Sequence, residues 1–174
     1  MMDPQHRVFL ECVWHALEDA NIRIQNHNKV SVFAGTSLNT YLLNHWPQLQ
    51  SQTSPAALLK ILHHNGADYL ATRIAYKLNC QGIAASVQTA CSTSLTAIHM
   101  ACQNLLTYES NIAIAGGCSI ADPQMHGYYY EKQGILSPDG TCRAFDKDAQ
   151  GCGWQDHVIW AEVSSTFNWK NREL

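Results

Sequence analysis

Three short runs constrain this chain more than any other feature: "KVSVFAG" from Lys29, "IAASV" from Ile83 and "NIAIAGG" from Asn111. Each is short, mostly apolar and rich in small or β-branched residues, and the first and last are closed by Gly35 and by Gly116 and Gly117. Such runs read as buried strands covered on both faces. Between them lie segments of helical period. Asp3 and Pro4 are suited to an N-cap and first helical residue, and Phe9, Cys12, Val13, Ala16, Leu17 and Ala20 follow at helical spacing to about Asn21. "GADYLATRIAYKLN" places Ala67, Leu70, Ala71, Ile74, Ala75 and Leu78 on one face. After "IAASV" comes a sharp turn at "QTAC" and a helix from Ser92 to about Leu106, with Leu95, Ile98, Cys102 and Leu105 as its apolar stripe. The stretch between Gly35 and Asn65 shows weaker helical patches at 41–46 and 56–63. This alternation predicts an α/β layered fold, with helices over a mixed or parallel sheet.

Length and charge narrow the function classes. The 174 residues, 46% of them hydrophobic, suffice for one globular domain with a core. The charged fraction is 14%, against about 25% in a typical soluble domain. Part of the surface is therefore expected to be covered by another chain or domain. A net charge of −3 without a Lys/Arg run argues against nucleic acid. No signal-peptide pattern and no run of about 18 apolar residues occurs, so a soluble, cytoplasmic protein without membrane contact is expected. Seven cysteines, with no C-x-x-C pair, read as reduced thiols. The nine histidines are scattered, and His63 and His64 fall in what reads as an exposed connection, so no metal site is expected.

Beyond Tyr130 the texture changes to turn signals, as in Ser137-Pro138-Asp139-Gly140. The tail "CGWQDHVIWAEVSSTFNWKNREL" has no clear periodicity. It divides the chain at 151 and 152, leaving 152–174 unassigned.

Chemistry concentrates at Cys91. A strand entering a tight turn and then a helix holds the side chain at its apex, the logic of a nucleophile elbow. A helix N-terminus favours thiolate over thiol. Small neighbours Ala90 and Ser92 leave room for an acyl group, and thioester exchange onto sulfur is nearly neutral in energy. The opposing reading is a buried structural thiol, since free cysteine mostly behaves as a small hydrophobe. Cys102, on the apolar stripe, and Cys118, after a buried strand, fit that reading well. For Cys91 the local pattern leaves both open.

"VQTACSTSLTAIHMACQNLL" resembles the active-site segment of the β-ketoacyl synthase domains of modular polyketide synthases and related fatty-acid synthases. "MDPQHRVFLECVWHALEDAN", "VFAGTS", "DYLATRIAYKLN", "IAIAGG" and "GILSPDGTCRAFDKDAQG" agree with that family in order and spacing, over about residues 2–151. The resemblance implies a thiolase-like layered α/β/α fold, of which this chain holds most of the N-terminal half. It implies that Cys91 accepts an acyl chain from the phosphopantetheine arm of an acyl carrier protein, with its own backbone N–H as an oxyanion donor. A malonyl-type thioester then loses carbon dioxide and attacks that acyl group, and no cofactor is bound. It also implies a homodimer.

Departures from the family set further expectations. The family's two histidines and lysine belong to a C-terminal half with no counterpart here, so condensation by the chain alone is not expected. His99 is expected to pack or to face an interface, and His126 and His157 match no catalytic motif. The chain begins within the domain, one strand short. After Gly151 it leaves the family's glycine-rich and valine-rich pattern, as a truncated or frame-shifted reading frame would. The competing functions are a non-catalytic remnant or interaction module and an unrelated Cys-His thiol hydrolase, which lacks a motif for its base and orienting group.

Overall fold

A computed structural model describes residues 2–24, 29–50, 54–124, 127–153 and 160–165. Helix α1 (Pro4–Asp19) starts where the sequence predicts. The Asp3 side chain accepts from Gln5 N, Pro4 fills a position that needs no donor, and Phe9, Val13 and Leu17 form the buried edge. Strand β1 (Val30–Thr36) follows and is buried throughout. The weak patches become α2 (Thr40–Gln50) and α3 (Pro55–Asn65), the second capped by the Ser54 side chain. His63 and His64 therefore lie in the last turn of a helix, half-buried, rather than in an exposed connection. The His63 ring meets Tyr69 edge-on at 4.8 Å, and His64 Nδ1 is 2.6 Å from Lys60 O.

A 3-10 turn at Ala67–Tyr69 leads into α4 (Leu70–Leu78), which buries Leu70, Ala71 and Ile74 and ends on Asn79 in the left-handed region. Strand β2 (Ala84–Ser86) leads through the Cys91 turn to α5 (Thr93–Leu106) and then to the fully buried β3 (Ile112–Cys118). The sheet order is β2-β1-β3-β4, where β4 is Trp160–Ser165. Strands β1, β2 and β3 are parallel, with Val30 to Thr36 facing Ile112 to Cys118 in register. β4 pairs antiparallel with β3, Trp160 opposite Gly117 and Ser165 opposite Ile112. The tail thus contributes a strand that its lack of periodicity did not reveal; pairing with β3 organises it.

Connection handedness distributes the helices. From β1 the chain crosses to one side of the sheet and from β2 back past β1 to the other, so right-handed crossovers put α4 and α5 on opposite faces. On one face Phe9, Val13 and Leu17 of α1 and Leu70 and Ile74 of α4 pack on Val30, Val32, Ile112 and Ile114. On the other, Ala97, Ala101 and Leu105 of α5 pack on Phe33, Ala113 and Ala115, beside Val87. The expected α5 stripe is therefore corrected. Leu95 is 69% exposed and Cys102 is exposed, Ile98 is only partly covered, and Leu105 alone of the expected four is buried. An alanine-faced sheet accepts the helix's small side and turns its bulkier residues outward.

Candidate active site

Cys91 stands where β2 gives way to α5, inside a 3-10 turn at Ala90–Ser92 that precedes the helix. The helix itself begins at Thr93, so the thiol precedes its first residue. The hydroxylated neighbours knot this turn. Thr89 N donates to Thr93 Oγ1 (3.0 Å), Ser92 Oγ donates to Thr89 O (2.8 Å), and Thr89 Oγ1 donates to Thr96 Oγ1 (3.0 Å). Ala90 has φ of 54°, in the left-handed region that a side chain enters at a cost of about 1–3 kcal/mol. The elbow expected from sequence is thus present, and its strained residue is the one immediately before the thiol.

Two facing glycines make space for it. Gly35 and Gly117 are partners across β1 and β3. A Cβ on Gly35 would lie 1.9 Å from Val87 O and 2.5 Å from Thr93 Cγ2, so only glycine lets β1 pass beneath the turn. On Gly117 a Cβ would meet Ser94 and Thr93 at 3.5 and 3.6 Å. Val87 N donates to Ala34 O at 2.9 Å, fastening the approach to the turn against β1.

The result is a cleft of about 480 Å³ lined by Gly35–Leu38 from the end of β1, Gly117–Ser119 from the end of β3, and Ala90, Cys91, Thr93 and Ser94 from the turn. It opens at the carboxyl ends of the parallel strands. The chain leaves β1 toward β2 and β3 toward β4, so this is the reversal point at which open α/β sheets bind ligands. A larger hollow of about 650 Å³ lies among the ends of α1 and α4, which lead into the amino ends of β1 and β2, and its lining holds neither cysteine nor serine.

Within the cleft two thiols differ. Cys91 is exposed; Cys118 is buried, and burial pushes its thiol up to about 12, with Asp3 and Cys12 adding to the shift. Burial raises Cys80 to about 11. Cys118 thus fits the structural reading, whereas Cys102, expected on a buried stripe, is exposed. His99 is exposed on α5 and does not line the cleft. His126 and His157 lie outside the described residues. Among the described residues no group of three potential ligands could hold a metal ion, and no helix is long and apolar enough to cross a membrane.

The sequence model of the family described as "Beta-ketoacyl synthase, N-terminal domain" matches residues 1–157. The chain belongs to this family. The synthase segment is 40% identical over 161 residues to a phenolphthiocerol/phthiocerol polyketide synthase of Mycobacterium tuberculosis, covering 87% of this chain and 11% of that protein. It is 37% identical over 155 residues to a highly reducing polyketide synthase of Cryptosporiopsis sp., covering 87% and 6%. Among solved structures, ketosynthase twelve of the bacillaene polyketide synthase of Bacillus amyloliquefaciens superposes with a TM-score of 0.74 at 27% identity, covering 93% of this chain and 28% of that one. The module 1 ketosynthase of the bacillaene synthase from the same species gives 0.67 at 30% identity, covering 86% and 25%. The thiolase-like α/β fold expected from sequence is the fold observed. The chain spans about a tenth of the curated relatives' length and about a quarter of the ketosynthase chains.

Sequence reasoning found the cysteine and its elbow. It passed over Gly35, read only as the stop of a strand, and Gln5, a polar residue in a first helical turn. The signal for Gly35 was its counterpart: two strands that both end in glycine beside a cysteine turn.

Proposed function

We propose that residues 2–151 act as the acyl-loading part of a β-ketoacyl synthase, with Cys91 as nucleophile. The observation that carries this is the exposed Cys91 at a left-handed elbow, opening on a cleft at the carboxyl ends of parallel strands. In the loading step Cys91 Sγ, as thiolate, attacks the carbonyl of an acyl thioester. The C–S bond to the carrier breaks, the phosphopantetheine thiolate leaves and takes up a proton, and an acyl-Cys91 thioester remains. The Cys91 N–H is the donor we assign to the developing oxyanion. In elongation a malonyl-type thioester loses carbon dioxide, its carbanion attacks the acyl carbonyl, and Cys91 is released as thiolate. That second step draws on family groups with no matching motif in these 174 residues, so loading without condensation is the activity assigned to the chain alone. Substrates arrive on an acyl carrier protein, and residues 152–174 are a divergent tail to which this reading assigns no role, although its strand β4 joins the sheet. Soluble, cytoplasmic operation as a homodimer accords with this reading.

The test is the intact mass of the chain after incubation with a short acyl thioester of N-acetylcysteamine, beside Cys91→Ala. One acyl adduct that maps to Cys91 and vanishes in the variant is expected. Absence of an adduct, or label spread over all seven cysteines, would overturn it.

A second reading is an interaction module. Leu58, Leu59 and Leu62 of α3 and Leu95 and Leu106 of α5 are between 37% and 69% exposed, and apolar side chains bared together on a helix face mark interaction sites. Size exclusion with light scattering checks it: a dimer is expected, and a clean monomer would count against it.

A further inference from the structure

One carboxamide reaches both strand exits that wall the Cys91 cleft. Gln5 lies in the first turn of α1 and is fully buried. Its Oε1 accepts from Ser37 N (3.1 Å), Ser37 Oγ (2.9 Å) and Ile120 N (3.4 Å). Its Nε2 donates to Asp3 Oδ2 (3.2 Å) and Ser37 O (3.4 Å). Ser37 follows β1 and lines the cleft, and Ile120 follows Ser119, which lines it from β3. Ser37 N also donates to Cys118 O at 2.9 Å, so the two exits touch at the point the amide grips. Asp3 is itself anchored, its N donating to His64 O at 3.1 Å at the end of α3. Both ends of the fully buried Gln5 amide are thus occupied, so a lost bond leaves a buried polar group unsatisfied.

We infer that Gln5 is a positioning residue: it fixes the separation of the β1 and β3 exits, and with it the width of the cleft in which a thioester must lie against Cys91 Sγ. The inference rests on the loading reading above. Gln5 touches neither Cys91 nor the cleft lining's open side, so it acts only through Ser37 and Ile120. A cleft widened by a fraction of an ångström loses orientation of the carbonyl, whereas a small alkylating agent needs no such walls.

The experiment compares wild type, Gln5→Met and Ser37→Ala by three readouts: acylation of Cys91 by the N-acetylcysteamine thioester, alkylation of Cys91 by iodoacetamide, and amide hydrogen exchange. Gln5→Met keeps side-chain length and the backbone bond to Asp3 while removing every bond of the carboxamide. It is expected to slow acylation about tenfold or more while alkylation stays within about twofold, and to speed exchange at Ser37 and Ile120 with α5 unchanged. Ser37→Ala removes one bond, leaves the fold least disturbed, and is expected to slow acylation about two- to fivefold. If wild type loads and both variants load equally fast, the inference is wrong while the loading reading stands. If acylation and alkylation fall together in both variants, Gln5 is merely structural and the inference is again wrong. A wild-type chain that takes no acyl group overturns the loading reading, and the inference with it.

Discussion

The two faces of the sheet are built from different materials. Toward α1 and α4 the sheet presents Val30, Val32, Ile112 and Ile114, and the helices answer with Phe9, Val13, Leu17, Leu70 and Ile74. Toward α5 it presents Ala113 and Ala115 with one large residue, Phe33, and the helix answers with Ala97 and Ala101 and, at its far end, Leu105. Large facing residues fill volume and stabilise; small ones let backbones approach. The first face holds the domain together. The second brings the start of α5, and the thiol before it, down onto the ends of β1 and β3. Placing the Cys91 thiol thus uses the face with less hydrophobic area to give.

If the faces divide labour in this way, enlarging the alanine face and truncating the bulky one should harm the chain differently. The largest effect is expected at Gly35→Val: the added Cβ meets the Val87 carbonyl oxygen at 1.9 Å, a backbone atom that cannot rotate aside. A cost above about 4 kcal/mol, or no folding, is predicted from urea denaturation. A stable, well-folded variant would show that the turn can lift away from β1. Next comes Phe9→Ala, where removal of a fully buried ring should cost about 3–5 kcal/mol. Its sharper consequence is selectivity: at temperatures where the variant stays folded, Cys91 acylation should fall less than in Gln5→Met, because α1 keeps the Gln5 bonds to Ser37 and Ile120.

The bulky face also carries a pH dependence. His6 is buried on α1, accepts from Arg73 Nε at 3.3 Å, and burial, reinforced by the Arg73 charge, lowers its pKa to about 4. With the unfolded value near 6.5, the unfolded chain binds the extra proton between those limits. Stability from His6 is then fully present above about pH 6.5 and lost progressively as pH falls toward about 4, by a total of about 3 kcal/mol. Urea midpoints measured across that window should slope for wild type and flatten for His6→Leu; equal slopes would remove His6 as the cause. On the alanine face Ala101→Leu should cost about 1–3 kcal/mol through overpacking and slow acylation as α5 is pushed off the sheet. The smallest effect is expected at Leu95→Ala on the exposed side of α5, within about 0.5 kcal/mol. A larger loss, dependent on protein concentration, would show that another surface covers that side.

How much of this was legible in the sequence depended on what fixed each element. α1 was readable because its cap, its proline and its large apolar residues all point one way. β1 and β3 were readable because central strands are apolar on both faces. The Cys91 elbow was readable as a strand, a turn and a helix in succession. The buried face of α5 was not, because apolar size is a poor guide when the opposing strands carry alanine: Leu95 and Cys102 looked like core, and Ala97 and Ala101 are. The tail was not readable either, since β4 owes its place to pairing with β3. Within the site, Cys91 could be named from its neighbours. Gln5 could not, because its bond to Ile120 spans 115 positions of sequence and no local pattern announces it.

The left-handed Ala90 has a practical consequence for anyone handling this chain. An alanine seldom visits that conformation by itself, so the shape of the turn is imposed by the strands, glycines and hydroxyl knots around it and has little local memory. Helix content and sheet content would survive a slight slip of α5 along the sheet; the turn would not. On the loading reading proposed above, a preparation can therefore pass every bulk test of foldedness and still be inert toward thioesters, and the fraction of chains that load rapidly, rather than the circular dichroism spectrum, is the measure of sample quality.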